Sequence, residues 1–346
     1  MEAVAFGVPL AVVGTALEDP PITATAAPRS RLVPALWVLL VPFAGWAVLR
    51  LTGAEPKFRW SQAVSFTPYV AGAALLPLLL ATAMRRWQLA VAWLVVAGLF
   101  AVIVLPRALP DGNPEVSGPR IRVMALNAFN GTVDADALMS AIRSIRPDVL
   151  ALLEYAPWLA DSLEERGIRE VLPYRVGEPM EDAWGSAVFS RHPLRPGERP
   201  IPGDGPAQIP AVVTLPGGLE LDVVAVHACA PSSGWRVECW APSIRALPPA
   251  GGRLRILAGD FNSSLDHAVL RELIATGYRD AADVAGKGLT MTWPYYEQPR
   301  VFPKVAIDHV LADERIAVLG FEAFALPHCD HRATLTELAL PEMGRS

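Results

Sequence analysis

The chain has 346 residues, of which 52% are hydrophobic, and its formal net charge at pH 7 is −5. A mean hydropathy of +0.31 excludes an ordinary soluble protein, so part of the chain is expected to lie in lipid. The acidic excess lies in residues 119–346, which hold 22 Lys/Arg and 29 Asp/Glu, and this argues against a protein whose main task is to grip duplex DNA.

Three windows near the N-terminus contain no charged residue. They are Leu32 to Leu49, Ala63 to Met84 and Trp87 to Leu105, with 18, 22 and 19 residues. At about 1.5 Å per residue, each is long enough to cross a hydrocarbon core about 30 Å thick. The alternative is buried helices of a soluble core, which rarely run so long without a charge. We predict three transmembrane helices within residues 32–105, after an N-terminal tail at residues 1–31 whose apolar stretch Ala3–Leu17 lacks the basic start of a secretory signal.

The cations around these windows predict the orientation of the helices. Arg29 and Arg31 precede the first window, and Arg85 and Arg86 fill the turn between the second and the third. Because cytoplasmic loops are enriched in Lys and Arg, we predict that the N-terminus and this turn are cytoplasmic and that the C-terminal part lies outside. The loop at residues 50–59 is a counter-signal, since it contains three cations and one glutamate.

The segment from residue 106 to 119 is dense in proline and glycine, which is typical of an exposed, extended linker. After it, short β-rich runs alternate with helical stretches. The predicted strands are Ile121–Leu126, Asp148–Leu153, Ser186–Ser190, Leu221–Val226, Arg255–Ala258, Ile307–Leu311 and Thr334–Leu338, and the predicted helices are Asp134–Ile145, Trp235–Leu247 and Asp266–Ala275. Residues 120–340 are therefore predicted to form a domain separate from the helices.

Polar side chains of chemical interest lie at the ends of these apolar runs. They are Asn127, Glu154, His227, Asp260, Asn262, Asp308, Asp330 and His331. Buried without partners, such groups would each cost several kcal/mol. Because the ends of strands present side chains to a cleft, a shared metal ion and a bound phosphate would satisfy them together.

Eight short motifs occur in order along this domain. They are LN at Leu126–Asn127, DVLALLE at Asp148–Glu154, GSAVFSR at Gly185–Arg191, VH at Val226–His227, GDFN at Gly259–Asn262, TW at Thr292–Trp293, IDHV at Ile307–Val310 and DHR at Asp330–Arg332. Each motif is weak alone, and GDFN and DHR are the most specific. Together, over about Arg120 to Leu340, they resemble the endonuclease/exonuclease/phosphatase superfamily, in particular its bacterial members with three membrane helices ahead of the domain.

The resemblance implies a four-layer α/β sandwich, in which two mixed β-sheets lie back to back with helices outside and a cleft at one end. By the pattern of the family, Glu154 would be the main ligand of Mg²⁺ or Mn²⁺, helped by Asn127 and Asp330. Oxygen ligands in an open site suit these ions, which keep water ligands and bind phosphate.

The resemblance also implies catalytic roles. Asp308 would orient and charge-stabilise His331, and His227 would donate to the phosphoryl oxygens. Asp260 would position or deprotonate the attacking water, with Asn262 holding it. Together these residues would carry out in-line hydrolysis of a phosphate ester.

Three further histidines are expected to lie outside the site. We expect His192 and His267 at the surface. His309 is expected in a solvated turn, with contact to the site as the alternative.

Residues in and beside the motifs could either pack in the core or contact the cleft. We expect Thr292 to contact the cleft and Trp293 to pack beneath it. For Tyr155, Asn130 and Ser186, packing and a place at the cleft are both open.

The sequence departs from the pattern of the family in two ways. Nuclease members add basic and aromatic side chains that hold the DNA backbone, and no such set is evident here. Family members commonly have Ser before the terminal Asp-His, where this chain has Cys329 preceded by His328.

The three cysteines, Cys229, Cys239 and Cys329, match no zinc-site spacing. An oxidising location and the short loop that begins at His227 predict a disulfide between Cys229 and Cys239, which would stabilise the fold by roughly 3 kcal/mol in the chain-entropy model. The alternative is two buried thiols.

The predicted function is a membrane-anchored, extracytoplasmic phosphoesterase that depends on Mg²⁺ or Mn²⁺. Its substrate is open between nucleic acid and the head group of a lipid or another small phosphodiester, and no protein partner is evident. The alternative is a catalytically silent ectodomain that binds a ligand or partner on the same fold. A transporter is disfavoured, because three charge-free windows offer no polar path through the membrane.

Overall fold

The structure is a computed structural model that describes residues 31–55, 58–198, 201, 205–234, 236–295 and 303–342. The predicted tail, with Arg29 and the stretch Ala3–Leu17, lies outside the described residues.

Among the described residues, three helical segments are long and apolar enough to cross a membrane, as predicted, and we call them the first, second and third candidate spans. They cover Leu32–Thr52, Arg59–Ala83 and Trp87–Ala108. The first is one helix, α1 (Leu32–Thr52), and the third consists of α5 (Trp87–Val104) and a 3-10 turn. The second contains α2 (Phe58–Ala63), a 3-10 turn, α3 (Thr67–Ala73) and α4 (Leu75–Ala83).

Two prolines explain the breaks in the second candidate span. Proline has no N–H to donate to the carbonyl four residues earlier, and its ring crowds that position. Four residues before Pro68 is Val64, where the 3-10 turn begins, and four before Pro77 is Ala73, where α3 ends.

The domain that follows contains twelve strands and six further α-helices among the described residues. The strands are β1 (Arg120–Asn127), β2 (Val149–Leu153), β3 (Tyr174–Glu178), β4 (Ser186–Ser190), β5 (Leu194–Pro196), β6 (Ile209–Thr214), β7 (Glu220–His227), β8 (Arg255–Asp260), β9 (Tyr278–Asp280), β10 (Asp308–Asp313), β11 (Ala317–Ala325) and β12 (Arg332–Ala339). The helices are α6 (Ala135–Ile145), α7 (Pro157–Glu165), α8 (Ile168–Val171), α9 (Val237–Arg245), α10 (Ala268–Ile274) and α11 (Ala281–Val284).

These strands form two mixed sheets, in the orders β11-β12-β1-β2-β4-β3 and β5-β6-β7-β8-β10-β9. At the centre of each sheet is one parallel pair, β1 with β2 and β7 with β8. A parallel pair needs a crossover connection, which α6 and α9 supply.

Alternation along the strands divides the core into layers. In β1, Ile121, Val123 and Ala125 pack between the sheets, whereas Met124 and Leu126 face the helices outside. Helices α6 and α7 cover the outer face of the first sheet, and α9 and α10 cover that of the second. The predicted four-layer α/β sandwich is confirmed.

The register brings the carboxyl ends of the parallel pairs to one edge. Asn127 ends β1, and His227 of β7 lies opposite Asp260 of β8. The antiparallel strand β10 begins at the same edge, where Asp308 lies opposite Asp260. Polar residues that are far apart in the sequence thus converge.

An ion cluster joins the candidate spans to the domain. The Asp266 carboxylate accepts from Arg50 Nε at 2.8 Å and from Arg107 at 2.6 and 2.8 Å, and its side chain is 1% exposed. Burial alone would raise the pKa of Asp266, but hydrogen bonds and charge from the two guanidinium groups hold it below its ordinary value. A lowered pKa means that the cluster stabilises the fold above the ordinary carboxyl pKa and loses this contribution as the pH falls.

His267 belongs to the same contact, and the expectation that it lies at the surface is wrong. Its side chain is buried and its Nε2 lies 2.7 Å from the carbonyl oxygen of Ser61, in the second candidate span. The N–H of Ala268 donates to the Glu55 carboxylate at 2.7 Å. The candidate spans and the domain are therefore packed together.

The segment 106–119 is largely extended and lies against the domain. Asn113 donates from Nδ2 to the Val318 carbonyl and accepts from the Val318 N–H. The N–H of Gly118 donates to the Leu340 carbonyl at 3.0 Å, and a Cβ at Gly118 would meet that oxygen at 2.4 Å. Glycine is needed here because no side chain fits.

We predict that Asp266→Asn destabilises the full-length chain strongly. The substitution leaves Arg50 and Arg107 buried without an anion, and breaking such a buried ion pair costs roughly 3–5 kcal/mol. Urea unfolding of the detergent-solubilised protein, followed by tryptophan fluorescence, measures the loss in the free energy of unfolding.

The matched control is Glu337→Gln, which breaks the pair between Arg122 and Glu337, whose side chains are 49% and 50% exposed. Exposed pairs contribute about 1 kcal/mol or less, so this variant should unfold nearly as the parent does. Equal, small losses for the two variants would contradict the role given to Asp266.

Candidate active site

The structure brings all eight predicted site residues to one edge of the sandwich. They border a cleft of about 910 Å³, whose lining includes Asn127, Glu154, His227, Asp260, Asn262, Asp330 and His331, with Asp308 directly behind His331. All are buried or nearly so.

The amide of Asn127 joins two of the carboxylates. Its Nδ2 donates to Glu154 Oε1 at 3.0 Å and to Asp260 Oδ2 at 3.1 Å, and its Oδ1 accepts from the N–H of Phe129. The N–H of Asn130 donates to the other oxygen of Glu154. Glu154 is therefore oriented by two donors.

Unusual backbone conformations set these side chains in place. Glu154 and Asn262 have positive φ angles of 52° and 46°, which are strained for non-glycine residues and are typical of functional sites. Gly259, the first residue of GDFN, has a φ of 145°, and a Cβ there would lie 2.1 Å from the Val226 carbonyl oxygen. Glycine thus lets β8 approach β7 just before Asp260.

Asp308 and His331 form a buried pair. His331 Nδ1 lies 2.9 Å and 3.1 Å from the two carboxylate oxygens of Asp308, so the ring donates to Asp308 and its Nε2 faces the cleft, 3.8 Å from Asp260 Oδ2. Burial alone would lower the pKa of His331, but the charges of Asp308 and Asp260 raise it to about 10. The imidazole is therefore protonated at neutral pH.

Asp260 lies between Asn127 and the pair formed by Asp308 and His331. It accepts from the N–H of Asn262 at 2.8 Å and from Asn262 Nδ2 at 3.2 Å. Burial and the charge of Asp308 raise the pKa of Asp260 to about 7. A carboxylate with such a pKa is suited to accept a proton at neutral pH.

His227 faces the same carboxylates from β7. Its Nε2 lies 3.6 Å from Glu154 Oε1 and 4.0 Å from Asp260 Oδ2, which is too far for direct hydrogen bonds. Burial lowers the pKa of His227, so its ring is neutral at pH 7 and retains one N–H to donate.

The surroundings of Asp330 show whether a divalent cation fits the site. Its Oδ2 accepts from Trp293 Nε1 at 2.9 Å, but its Oδ1 is buried without a hydrogen-bond partner among the described residues. Burial, with the charge of Glu154, raises the pKa of Asp330. The negative charges of Glu154 and Asp330 repel each other in a buried site, and a divalent cation would stabilise them. These two carboxylates therefore fit a divalent cation.

A second group also satisfies the distances for a metal. One ligand atom each of Asp260, Asp308 and His331 lies within 4.8 Å of the others. The protonated ring of His331 is, however, a donor rather than a ligand. The protonation of His331 therefore favours a cation at Glu154 and Asp330 over one at Asp260, Asp308 and His331.

Cys329 replaces the Ser that is common before the terminal Asp-His. Its Sγ donates to the carbonyl oxygen of Asn127 at 3.1 Å, and burial raises the pKa of the thiol to about 12. The neutral thiol therefore gives the hydrogen bond that a hydroxyl could give.

The expectations for Thr292 and Trp293 are reversed. Trp293, expected beneath the cleft, lines it and binds Asp330, whereas Thr292 is buried and accepts the N–H groups of Ile307 and Asp308 at 3.1 Å. Thr292 thus fixes the start of β10 rather than contacting a ligand.

The open residues separate into packing and cleft positions. Tyr155 is buried against Phe189, and Ser186 is also buried in its strand. Asn130 lines the cleft.

His309 and His192 lie outside the lining of the cleft, and the expectation that His309 lies in a solvated turn is wrong. His309 is buried, with Nδ1 2.7 Å from Asp280 Oδ2 and Nε2 2.8 Å from the Ser263 carbonyl. The half-buried His192 lies 3.3 Å from Asp148.

Sequence reasoning missed one wall of the cleft, which comes from the second candidate span. Ser61, Gln62, Ser65 and Phe66 line it together with the strand-end residues. The signal was present, because Ser61 and Ser65 are polar residues four positions apart, and therefore on one face, in an apolar helix.

The structure also confirms the disulfide between Cys229 and Cys239, and both residues line the cleft. The bridge closes the loop that follows His227.

Comparisons with known proteins extend these findings. Residues 124–333 match the model of the Endonuclease/Exonuclease/phosphatase family. A search of curated proteins finds no match.

Solved structures also match. A humanized D. rerio TDP2 has a TM-score of 0.51 at 15% identity, over 63% of this chain and 98% of that one. An endonuclease/exonuclease/phosphatase from Beutenbergia cavernae has a TM-score of 0.48 at 20% identity, over 64% and 72% of the two chains. The 3′ phosphatase NExo from Neisseria, bound to product DNA, has a TM-score of 0.47 at 18% identity, over 62% and 98%. At such identities, the likeness to TDP2 concerns the fold.

We predict that Glu154→Gln weakens Mn²⁺ binding by at least about tenfold, because it removes a charged ligand of the favoured position. Asp308→Asn removes one charge from the same cleft but should change the affinity little. Titration of Mn²⁺ into the full-length protein, followed by electron paramagnetic resonance, measures both. The opposite ranking would place the cation at Asp260, Asp308 and His331.

Proposed function

Because the chain belongs to the Endonuclease/Exonuclease/phosphatase family, whose members are phosphoesterase hydrolases, we propose that it hydrolyses phosphate esters with Mg²⁺ or Mn²⁺. The observation that supports this most is the buried pair of Asp308 and His331 beside Asp260, because a protonated imidazole and a carboxylate of raised pKa share one cleft. A binding module has no need of such groups.

Glu154 and Asp330 would hold the metal ion, which would polarise the phosphoryl group and offset its negative charge. Asn127, expected from the sequence as a third ligand, presents its amide nitrogen to Glu154 and Asp260 in this arrangement. Ligation by its oxygen would require the amide to turn over. As oriented, Asn127 holds the two carboxylates in place.

The other residues would act on protons. Asp260 would accept the proton of the attacking water, which Asn262 would help to hold. His331, kept protonated by Asp308, would donate from Nε2 to an oxygen of the phosphate, and His227 would donate its N–H to another. The water oxygen would bond to phosphorus as the phosphorus–oxygen bond of the ester breaks, and the leaving alkoxide would take up a proton from solvent to become the alcohol.

We further propose that the three candidate spans anchor the protein with the domain outside the cytoplasm. Arg85 and Arg86 at the turn between the second and third spans favour this orientation. The cations of the first loop were a counter-signal, but Arg50 is neutralised by Asp266. The disulfide of Cys229 and Cys239 also favours an oxidising compartment.

We predict that Asp308→Asn and His331→Ala each lower kcat/KM for bis-p-nitrophenyl phosphate by roughly 10²–10⁴, and that the double variant is little worse than the worse single one. Asp308→Asn should also move the alkaline limb of the kcat/KM profile to lower pH. The protonated ring is the active form, and without Asp308 its pKa falls from about 10, so activity is lost at a lower pH.

His192→Ala is the matched histidine control, and it should keep the activity of the parent because His192 lies outside the cleft. Losses that multiply in the double variant would show that Asp308 and His331 act independently. If the parent, supplied with Mg²⁺ or Mn²⁺, cleaves neither this diester nor p-nitrophenyl phosphate, the silent ectodomain is the better account.

For the orientation, we predict that cells quenched with acid and then treated with an alkylating polymer show one modified thiol per chain, that of Cys329, after denaturation. A cytoplasmic domain would keep its thiols reduced and show three. Oxidation of the purified, reduced protein is the control. If the bridge forms there but not in cells, the orientation is wrong, and if it forms in neither, the bridge is wrong.

A further inference from the structure

The second candidate span builds part of the cleft that contains the strand-end residues. Ser61 is fixed through its carbonyl by His267, and Gln62 donates from Nε2 to the Pro231 carbonyl at 3.0 Å. Ser65 and Phe66 lie on the next turn and also line the cleft. A ligand in this cleft would therefore touch a helix that is apolar enough to cross a membrane.

The depth of this wall follows from helix geometry. Starting from the turn at Arg85, a hydrocarbon core about 30 Å thick spans about 20 residues at 1.5 Å each, which brings its far boundary to Ser65. Ser61 and Gln62 then lie in the head-group layer, and Phe66 lies where the hydrocarbon begins.

Aromatic residues lie on both sides of this boundary, within five positions of Ser65 along the second candidate span. Trp46 of the first candidate span stacks edge-to-face on Trp60 and donates to Thr67 Oγ1 at 3.0 Å. Tyr69 is 43% exposed and hydrogen-bonds to the backbone of Lys304 in the domain. Tryptophan and tyrosine concentrate at the membrane–water interface, so this level agrees with the one from helix length.

The lining of the cleft suits a single amphipathic ligand better than a polynucleotide. Its described acidic residues, Glu154, Asp182, Asp260 and Asp330, face only one described lysine or arginine, Arg236. Polynucleotides are held through many contacts of cations with phosphate. On the rim, Trp184 is 47% exposed, an amphipathic side chain suited to lipid.

We propose that the substrate is a membrane lipid that carries a phosphate ester in its head group and is taken from the leaflet beside the cleft. The phosphate reaches Glu154 and His331 along Ser61 and Gln62, while Phe66 contacts the first carbons of the chains. Water cleaves one phosphorus–oxygen bond by adding its hydroxyl group to phosphorus and its other proton to the leaving oxygen. For a phosphodiester, the products are either a lipid alcohol and a released phosphomonoester, or a lipid phosphomonoester and a released head-group alcohol. This inference rests on the proposed hydrolysis and names its substrate class.

The test uses the full-length protein with Mn²⁺ in mixed micelles of zwitterionic and anionic phospholipids. Phe66→Ala should lower kcat/KM for the lipid about tenfold more than kcat/KM for soluble bis-p-nitrophenyl phosphate, because only the lipid loses a contact with its chains. Leu79→Ala is the matched control, since Leu79 is 65% exposed in the same span, further from the cleft by sequence. It should change neither rate.

The outcomes separate the inference from the proposed function. Hydrolysis of bis-p-nitrophenyl phosphate or a DNA oligonucleotide, without hydrolysis of any phospholipid, overturns the lipid substrate but keeps the phosphoesterase. Hydrolysis of none of them overturns both. If Phe66→Ala lowers kcat/KM for the lipid and for bis-p-nitrophenyl phosphate equally, Phe66 has only a structural role. Phe66→Leu, which keeps the packing, distinguishes this structural role from misfolding of the alanine variant.

Discussion

The Asp266 carboxylate accepts from two arginines, one near the end of each outer candidate span, and thereby ties these helices to the domain. Three buried charges are stable only as a set, because removal of one leaves the others without compensation. The helices are therefore docked on the domain in one arrangement. The second candidate span, which packs on the third, is held with them, so its first turns become a wall of the cleft. The candidate spans and the site therefore belong to one packed unit.

Much of the fold can be predicted from local sequence patterns. The wrong predictions concern residues whose partners are distant in the sequence. The windows were ended at the first charge, whereas the helical spans continue through Arg50 and Arg107, because Asp266 neutralises both. His267 was assigned to the surface because nothing near it in the sequence reveals Ser61, its partner 206 positions away. Seven of the twelve described strands follow from their apolar runs, whereas β3, β5, β6, β9 and β11 are not predicted by the sequence.

The candidate site was predictable to the extent that its residues follow apolar runs. Asp260 and Asp308 could be placed at one edge because strand ends converge, and the structure pairs them in register. Thr292 and Trp293 were exchanged because their segment has no regular alternation that tells which side chain faces the cleft. Ser61 and Ser65 mark a polar face on the second span, but the sequence does not reveal that this face contacts the cleft.

The ion cluster also governs how the chain is made. Arg50 precedes Asp266 by 216 positions, so at roughly 5–20 residues per second the carboxylate is synthesised roughly 10–45 s after the arginine. Until then the guanidinium of Arg50 lacks the carboxylate with which it pairs in the folded chain. The first and third candidate spans can therefore dock on Asp266 only after this part of the domain has been synthesised. A chain that stops before Asp266 would leave Arg50 and Arg107 without the carboxylate that pairs with both, and incompletely folded chains are removed by cellular proteases.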